Sequence, residues 1–209
     1  MKALSKKLGH MPVKKRAMTG KRYLASERQS LSFGLNDRFM IIGERINPTG
    51  KKKLQAELLE NKFDMVISFA EEQEQCGAAI LDVNMGMSGV DEKELMRNAL
   101  EEIGGVTSLP LTIDTSSVEV MEAALRHYPG RALMNSISLE AVKYNNLLPL
   151  AKKYGAMFIL LPLSDRGLPE SLSEKIDIIN AITKRALELG MKKEDIIVDG
   201  LVTTVGANK

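Results

Sequence analysis

Short apolar runs alternate with longer segments of helical periodicity from Phe39 to the end of the chain. Each run is rich in aliphatic residues, and in the segments between them apolar residues recur every three or four positions. In chain order the runs read FMIIG, AAILDVN, LPLTIDT, RALMNS, MFILLPL and DIIVDG. This alternation predicts βαβ units whose strands form a parallel sheet.

The segments between the runs carry the apolar stripes and end signals of amphipathic helices. One stripe consists of Met65, Val66, Phe69, Ala70, Gln73 and Cys76, and another of Leu172, Ile176, Ile179, Ile182, Ala186 and Leu189. Capping-box spacing occurs at Ser116/Glu119 and Ser171/Glu174, and the glycines expected to close helices are Gly77, Gly104, Gly155 and Gly190. We expect these helices to cover the sheet.

Two residues with reactive side chains fall inside these helices. Cys76 ends the first stripe, so we interpret it as a small, core-facing hydrophobe rather than a nucleophile. His127 stands in a last helical turn before Pro129, where the helix dipole favours a cation. We therefore assign His127 to the helix end and not to catalysis.

Parallel strands joined by right-handed crossovers leave two architectures, a doubly wound open sheet and a (β/α)8 barrel. The loop after the first run, GERINPTGKKK, has neither the GxGxxG spacing of a dinucleotide-binding turn nor a Walker pattern. Polar residues instead follow nearly every run, as in barrels that assemble a site at the C-terminal ends of their strands. We predict an α/β fold, a TIM-type (β/α)8 barrel truncated after about six strands.

A sheet of about six strands has two open edges. Native proteins rarely leave the N–H and C=O groups of such edges bare. We expect a second copy of the chain to cover them, which predicts a homo-oligomer.

The composition, 44% apolar and 27% charged over 209 residues, is that of an ordinary globular chain. No apolar stretch approaches the roughly 20 residues that cross a bilayer, and no secretory signal follows the start. We therefore expect a cytoplasmic protein with no membrane partner. One cysteine and two histidines allow no intramolecular disulfide and argue against a zinc or iron enzyme, so no metal is assigned.

The net charge of +2 hides an asymmetry along the chain. Residues 1–26 hold eight Lys/Arg and no acid, leaving 21 basic against 27 acidic residues, or −6, for the rest. This stretch could be a nucleic-acid arm, an organellar transit peptide or a solvated linker. Because it lacks interleaved aromatics and the remainder is acidic, we favour a linker and predict no nucleic-acid partner. Residues 1–38 are assigned to a basic N-terminal extension or interdomain linker, and residues 39–209 to the barrel domain.

Polar side chains end most of the predicted strands. The candidate site residues are Asn47, Asp82, Asn84, Asp114, Asn135 and Asp199. In a barrel the carboxyl ends of the strands meet around one mouth, so these side chains should face a common space. Carboxylates accept parallel N–H bonds, and amides both donate and accept. The set therefore suits a neutral, planar, donor-rich heterocycle.

Two other roles are open for these residues. Asp114 in DTSS and Asn135 in NSIS stand where helix N-caps are common, and a cap explains each residue alone at least as well. Asp82, Asp114 and Asp199 could also ligate a divalent metal. The mixture of carboxylates with amides favours hydrogen-bond recognition over a metal.

Five segments together carry a resemblance to a known family. They read FMIIGERINPTGKKKLQ, ILDVNMGMSGVDEKE, LPLTIDTSS, YPGRALMNSIS and IIVDGLVTTVGAN, in order from about Ser26 to the last residue. They resemble the pterin-binding domain of cobalamin-dependent methionine synthase and of the methyltetrahydrofolate:corrinoid protein methyltransferases. GERIN and DVNMGM are less similar to dihydropteroate synthase, a relative with the same fold.

The resemblance implies a barrel of the dihydropteroate synthase-like kind that binds 5-methyltetrahydrofolate at its C-terminal mouth. It implies a methyltransferase of one-carbon metabolism that passes the N5-methyl group to cob(I)alamin, carried by a corrinoid protein or cobalamin domain. Asp114, Asn135 and Asp199 match the family's pterin-binding positions, and Asn47, Asp82 and Asn84 would line the same floor. No residue is assigned as the catalytic acid.

Other readings stay open beside this one. A non-catalytic folate-binding or assembly module would keep the binding surface without turnover, and dihydropteroate synthase activity would use a pterin diphosphate. Residues 51–53, all lysine, suit either the glutamate tail of a folate or a solvated loop, and the loop is favoured. Residues 1–38 also resemble the segment that follows a homocysteine-binding barrel in full-length methionine synthases.

Overall fold

The computed structural model describes residues 6–9 and 20–202. Most of the basic stretch at residues 1–26, and the VGAN segment of the resemblance, lie outside the described residues. The division of the chain at residue 38 stays a prediction. Within the first part, residues 22–33 form an antiparallel hairpin that its basic composition did not signal.

The elements follow the predicted alternation of strands and helices. The hairpin consists of β1 (Arg22–Ala25) and β2 (Ser30–Phe33). The other strands are β3 (Ile42–Ile46), β4 (Ile80–Asn84), β5 (Leu111–Asp114), β6 (Leu133–Ile137), β7 (Met157–Leu160) and β8 (Ile196–Val198). The helices are α1 (Lys52–Leu59), α2 (Asp64–Gln75), α3 (Glu92–Val106), α4 (Val118–His127), α5 (Ala141–Tyr154) and α6 (Leu172–Glu188). None of the described helices is long and apolar enough to cross a membrane.

Strands β3 to β8 form one six-stranded parallel sheet in which each strand pairs with the next along the chain. A doubly wound sheet reverses its strand order at a switch point, whereas a barrel adds its strands in sequence. The predicted α/β fold with the strand order of a TIM barrel is therefore confirmed. Within the described residues β3 and β8 do not pair, so the sheet is open rather than closed.

The two faces of the sheet have different partners, because side chains alternate along each strand. The helices cover the outer face, where Leu81, Val83, Ile113, Met134 and Phe158 are buried. On the inner face the strands are apolar only near their N-terminal ends. This leaves the C-terminal part of the inner face to polar side chains.

The hairpin closes the N-terminal end of the inner face. Leu24 is 0% exposed and packs in one cluster with Ile80, Leu133 and Met157 from the starts of three strands. Burying a leucine side chain of this kind stabilises a fold by roughly 1.5–3 kcal/mol. The hairpin thus covers the N-terminal end of the inner face and shields it from solvent.

Backbone hydrogen bonds fix the hairpin in place. The N–H of Ala25 donates to the carbonyl of Arg131 at 3.1 Å, and the N–H of Arg131 donates back at 2.9 Å. The buried hydroxyl of Tyr128 donates to the carbonyl of Ala25 at 3.0 Å and accepts from the N–H of Leu111 at 3.1 Å. Gly130 permits this approach, because a Cβ there would lie 2.0 Å from the carbonyl oxygen of Ala25.

The helix starts agree only partly with the sequence. Ser171 caps α6 as predicted, since its hydroxyl accepts from the N–H of Glu174 at 3.1 Å. The cap of α4 is Ser117, which accepts from Val120 at 3.3 Å, so the prediction of Ser116 is wrong by one residue. Two adjacent serines give the same sequence signal, and only the backbone path decides between them.

The helix ends show one further difference. Gly77, Gly155 and Gly190 follow helices with positive φ, as expected. Gly104 does not close α3, because the helix continues to Val106 and ends where Thr107 is extended. His127 lies in the last turn of α4, as predicted, with Nε2 2.9 Å from Oε1 of Glu101.

The expectation that Cys76 faces the core is wrong, because Cys76 is exposed. Helix α2 ends at the preceding residue, and the chain leaves the helical path at Gly77, whose φ is +91°. The buried stripe therefore stops at Gln73, which is buried and accepts from the N–H of Arg45 at 2.8 Å.

The first turns of α6 are also more exposed than the periodicity predicts. Leu172 is 72% and Ile176 is 47% exposed, and the buried stripe begins only at Ile178. No described element packs over these turns strongly enough to bury them. Apolar side chains are exposed near the opposite edge as well, at Phe39 and Ile41 before β3.

Candidate functional site

The polar cluster lies at the C-terminal ends of β4, β5 and β6. Asn84 and Asp114 are register partners on adjacent strands, and Asp114 is in turn the partner of Asn135. Residues paired in this way in a parallel sheet point to the same face. Asp82 stands two positions before Asn84 on β4 and so lies one layer deeper on that face. The structure therefore brings four of the six candidate residues together.

Hydrogen bonds join these side chains into two pairs. Asn84 Nδ2 donates to Asp114 Oδ2 at 2.8 Å, and Asn135 Nδ2 donates to Asp82 Oδ1 at 3.1 Å. The N–H of Gly86 donates to Asn84 Oδ1 at 2.8 Å, which fixes the orientation of that amide. The first pair joins the adjacent strands β4 and β5, whereas the second reaches from β6 across β5 to β4.

Burial dominates the ionisation of Asp82, which is 4% exposed. Burial, with smaller contributions from the charges of Asp114 and Glu44, raises the pKa of Asp82 to about 7 against the opposing hydrogen bond from Asn135. This carboxyl therefore changes its charge within the physiological range of pH. A deep carboxyl of this kind can act as either a hydrogen-bond donor or an acceptor.

Asp114 is held differently. Burial also raises the pKa of Asp114, but the hydrogen bond from Asn84 and the positive charge of Lys143 both oppose that rise. Lys143 Nζ lies 2.8 Å from Glu140 Oε2, which also accepts from the hydroxyl of Ser138 at 2.5 Å. A fixed ammonium group at the mouth thus favours the charged form of Asp114.

Glu44 and Lys143 are members of this electrostatic environment that the sequence patterns did not single out. Glu44 occupies the middle of β3, two positions after Ile42, and period-two alternation along GERIN could have placed it on the inner face. Lys143 lies in the first turn of α5, and nothing in its local sequence distinguishes it from a surface lysine.

The alternative that Asp114 and Asn135 cap helices is wrong. The cap of α4 is Ser117, and the residue at the start of α5 is Glu140. Asp114 and Asn135 instead belong to the strands and pair across them. Their side chains are therefore not needed to begin the helices that follow.

Asn47 and Asp199 lie at the same end of the sheet but outside the two pairs. Asn47 Oδ1 accepts from the N–H of Thr49 at 2.9 Å, and Asp199 Oδ1 accepts from the N–H of Leu201 at 2.8 Å. In this conformation each side chain turns back to its own loop. Their assignment to the binding site stays a prediction.

Two other predicted roles were a lysine contact to the glutamate tail of a folate and a site for a divalent metal. Lys51 Nζ donates to the carbonyl of Asn47 at 3.0 Å, so this lysine braces the loop after β3. Among residues 6–9 and 20–202, no group of three or more His, Cys, Asp or Glu side chains is arranged to hold a metal ion.

Comparison with known proteins decides the family. A sequence profile described as "Pterin binding enzyme" matches residues 43–209, which include all but the first residue of the parallel sheet. The chain belongs to this family. It is 24% identical over 210 residues to methionine synthase from Mycobacterium leprae (strain TN), covering 96% of this chain and 17% of the relative. The chain thus spans about a sixth of the length of that protein.

Several solved structures with a similar fold are dihydropteroate synthases. The enzyme from Xanthomonas albilineans with 4-aminobenzoic acid gives a TM-score of 0.65 at 20% identity, covering 87% of this chain and 65% of that chain. The enzyme from Vibrio fischeri ES114 gives 0.61 at 21% identity, covering 88% of this chain and 67% of that chain. These similarities establish the fold and agree with the predicted barrel type.

Proposed function

We propose that this domain binds 5-methyltetrahydrofolate by its pterin ring and takes part in transfer of the N5-methyl group to cob(I)alamin carried by a partner domain or protein. The observation that carries the proposal is the row of Asn84, Asp114 and Asn135, in register at the C-terminal ends of three adjacent strands. The row lies where barrel enzymes place their sites.

The donor and acceptor pattern of the cluster fits a pterin. The aminopyrimidinone edge of the ring presents N–H donors beside acceptors, and Asp114 with Asn135 offers a carboxylate beside an amide. Lys143 favours the charged form of Asp114, and a charged acceptor makes the stronger hydrogen bond. The deeper Asp82 adds a carboxyl that can adjust its protonation to the bound ring.

In this reaction the corrinoid supplies the nucleophile, and the residues of this chain bind and orient the folate. Holding the ring against three strand ends fixes the direction of the N5-methyl group, which is the positioning contribution to a displacement. The helices and the hairpin bury the rest of the sheet, so these strand ends project from a packed core. The expected role of the chain is therefore placement of the folate.

Methyl transfer is favoured over dihydropteroate synthesis by the relative from M. leprae, which aligns with 96% of this chain. GERIN and DVNMGM point in the same direction. A pterin-binding module without turnover is the second candidate, because the sheet is open within the described residues. Absorbance of cob(I)alamin with 5-methyltetrahydrofolate separates the two: loss of the cob(I)alamin signal supports transfer, and folate binding without it supports the module. Product formation from a pterin diphosphate and p-aminobenzoate would instead support the synthase.

Asp114→Asn tests the binding half of the proposal. The substitution preserves shape but removes the charge of the acceptor, which should cost about 1.5–3 kcal/mol of binding, or roughly 10- to 150-fold in Kd. Isothermal titration with 5-methyltetrahydrofolate measures the change. Asp177→Asn, at an exposed position on α6, is the matched control and should bind like the wild type. Equal affinities for both variants would remove Asp114 from the site.

The partner proposed for the sheet edges is a second copy of the chain. Apolar side chains are exposed beside both edges, at Phe39 before β3 and at Val198 in β8. Within the described residues the outer edges of β3 and β8 are unpaired, and unpaired edges favour association. Light scattering over a range of concentrations should show dimers, and a monomer at every concentration would contradict the proposal.

A further inference from the structure

One buried polar atom near the site has no hydrogen-bond partner. Within the part of the chain that the structure describes, Thr112 Oγ1 is the buried side-chain oxygen or nitrogen without one. Thr112 is 0% exposed, so its hydroxyl has given up hydrogen bonds to water without replacing them. Such an atom in a native structure needs an explanation, and a partner gained in another state of the protein is one.

The neighbour of Thr112 across the sheet is Asp82. The two residues are register partners on β5 and β4, so their side chains share the inner face. Neighbouring strands lie about 4.7–4.9 Å apart, so register partners on one face can bring a hydroxyl within reach of a carboxylate. Asp82 Oδ1 nevertheless accepts from Asn135 in this structure.

The side-chain amide of Asn135 has two alternative sets of hydrogen-bond partners. Its Nδ2 donates downward to Asp82 at 3.1 Å, while its strand position puts it in the row with Asp114. To meet a ring edge with both its N–H and its carbonyl, the amide has to turn away from Asp82. That movement would leave a buried carboxyl without its donor.

We propose that Thr112 is a positioning residue whose hydroxyl replaces Asn135 as the donor to Asp82 when Asn135 turns to a bound pterin. The part concerning the ligand rests on the proposed function, whereas the exchange of donors is a property of the chain alone. The exchange keeps Asp82 hydrogen-bonded in both states. It therefore frees Asn135 for recognition without leaving a buried carboxyl unpaired.

The charges around Asp82 make a neutral donor necessary. Asp114 on β5 and Glu44 on β3 face it with negative charge, and Lys143 on α5 acts on Asp114. Among the residues that the structure describes, none of the groups that shift the pKa of Asp82 is a cation. Its ionised form thus depends on donors such as Asn135 and Thr112.

A double-mutant cycle tests the exchange without ligand. Asn135→Ala removes the group that donates to Asp82 in this structure. Its effect on the folding equilibrium is measured by urea unfolding at pH 8, once in the wild-type background and once in the Thr112→Val background. Thr112→Val alone should not lower stability, because it removes an unpaired hydroxyl. Asn135→Ala should lower the folding equilibrium constant about tenfold more in the Val background, where Asp82 has neither donor. Thr112→Ser should behave like the wild type.

The folate affinities of two Thr112 variants complete the test. Thr112→Val should weaken 5-methyltetrahydrofolate binding about fivefold at pH 8 and Thr112→Ser should restore it, whereas a merely structural residue would change stability instead. If Asn135→Ala changes the folding equilibrium constant equally in both backgrounds, the exchange of donors is wrong. If the two substitutions are coupled in stability but Thr112→Val binds folate like the wild type, the exchange is not linked to the ligand. If the wild type binds no folate, the proposed function fails, and the coupling alone decides whether Thr112 replaces Asn135.

Discussion

The two ends of the same strands have opposite chemistry. At their N-terminal ends Ile80 and Leu133 pack under Leu24 of the hairpin, and all three are almost fully buried. At their C-terminal ends Asn84, Asp114 and Asn135 form a polar row that is only half-buried. A few residues along a strand thus separate a part of the molecule built for stability from a part suited to binding.

The polar groups at the two ends are also satisfied differently. A cavity of about 420 Å³ lies at the hairpin end, beside Arg28, Ile103 and Tyr128. There the hydroxyl of Tyr128 uses backbone partners for both of its hydrogen bonds, and Arg28 donates to the carbonyl of Gly104. At the mouth the side chains instead pair with each other. None of the six candidate residues is among those that line the cavity, so the cavity is not the candidate site.

The largest expected effect is on stability at the hairpin end. Leu24→Ala should lower the free energy of unfolding by about 2–5 kcal/mol, because it leaves a cavity among buried aliphatic side chains. Urea unfolding measures the loss, and Leu35→Ala, at an exposed position, should change little. Folate affinity of the folded Leu24→Ala protein should stay unchanged. A large loss of affinity would show that the two ends are not independent.

The next effect is a dependence of stability on pH that comes from Asp82. Its pKa is about 7 in the folded chain against 3.8 ordinarily. Between these values the folded state retains a proton that the unfolded state has lost. The contribution of Asp82 to the free energy of unfolding is therefore complete below about pH 4 and is lost as the pH rises to 7. The loss should be on the order of 3 kcal/mol relative to Asp82→Asn, which cannot ionise.

Unfolding curves of both proteins from pH 4 to 8 measure this difference. Parallel stability profiles for the wild type and Asp82→Asn would show that Asp82 ionises in the folded chain at its ordinary pKa. The mouth would then be more solvated than its burial indicates.

A smaller effect on stability is expected from the two serines that follow β5, next to the mouth. Ser117→Ala should destabilise the protein by about 1 kcal/mol, because the N-cap of α4 loses its acceptor, whereas Ser116→Ala should be close to neutral. Thermal unfolding compares the two variants. Neither should alter folate affinity by more than about twofold, since Ser117 serves the helix. A larger loss at Ser116 would mean that the helix begins one residue earlier.

Much of the fold was predictable because alternation of strand and helix patterns is a local property. The order of β3 to β8 and the polar ends at Asp82, Asn84, Asp114 and Asn135 followed from it. The hairpin did not, since two four-residue strands in a basic segment have too short a pattern to detect. The exposure of Cys76 depended on where α2 stopped, which periodicity alone does not determine.

The electrostatic part of the site was the least predictable. Lys143 acts on Asp114 through space from another element, and Thr112 matters because of a partner that is missing. Neither relation leaves a trace in sequence spacing. The loop bonds of Asn47 and Asp199 are likewise set by turn geometry rather than by residue type.

The most direct test of the central claim uses the side-chain amide signals of Asn84 and Asn135 in protein labelled with ¹⁵N, and with ¹³C at its leucine methyl groups. Titration with 5-methyltetrahydrofolate should move both signals with one common Kd, because binding has to open their bonds to Asp114 and Asp82. The methyl signals of Leu24 and Leu133, at the other end of the strands, should stay in place. Movement confined to the hairpin end, or no movement of either amide at saturation, would contradict a pterin site at the mouth.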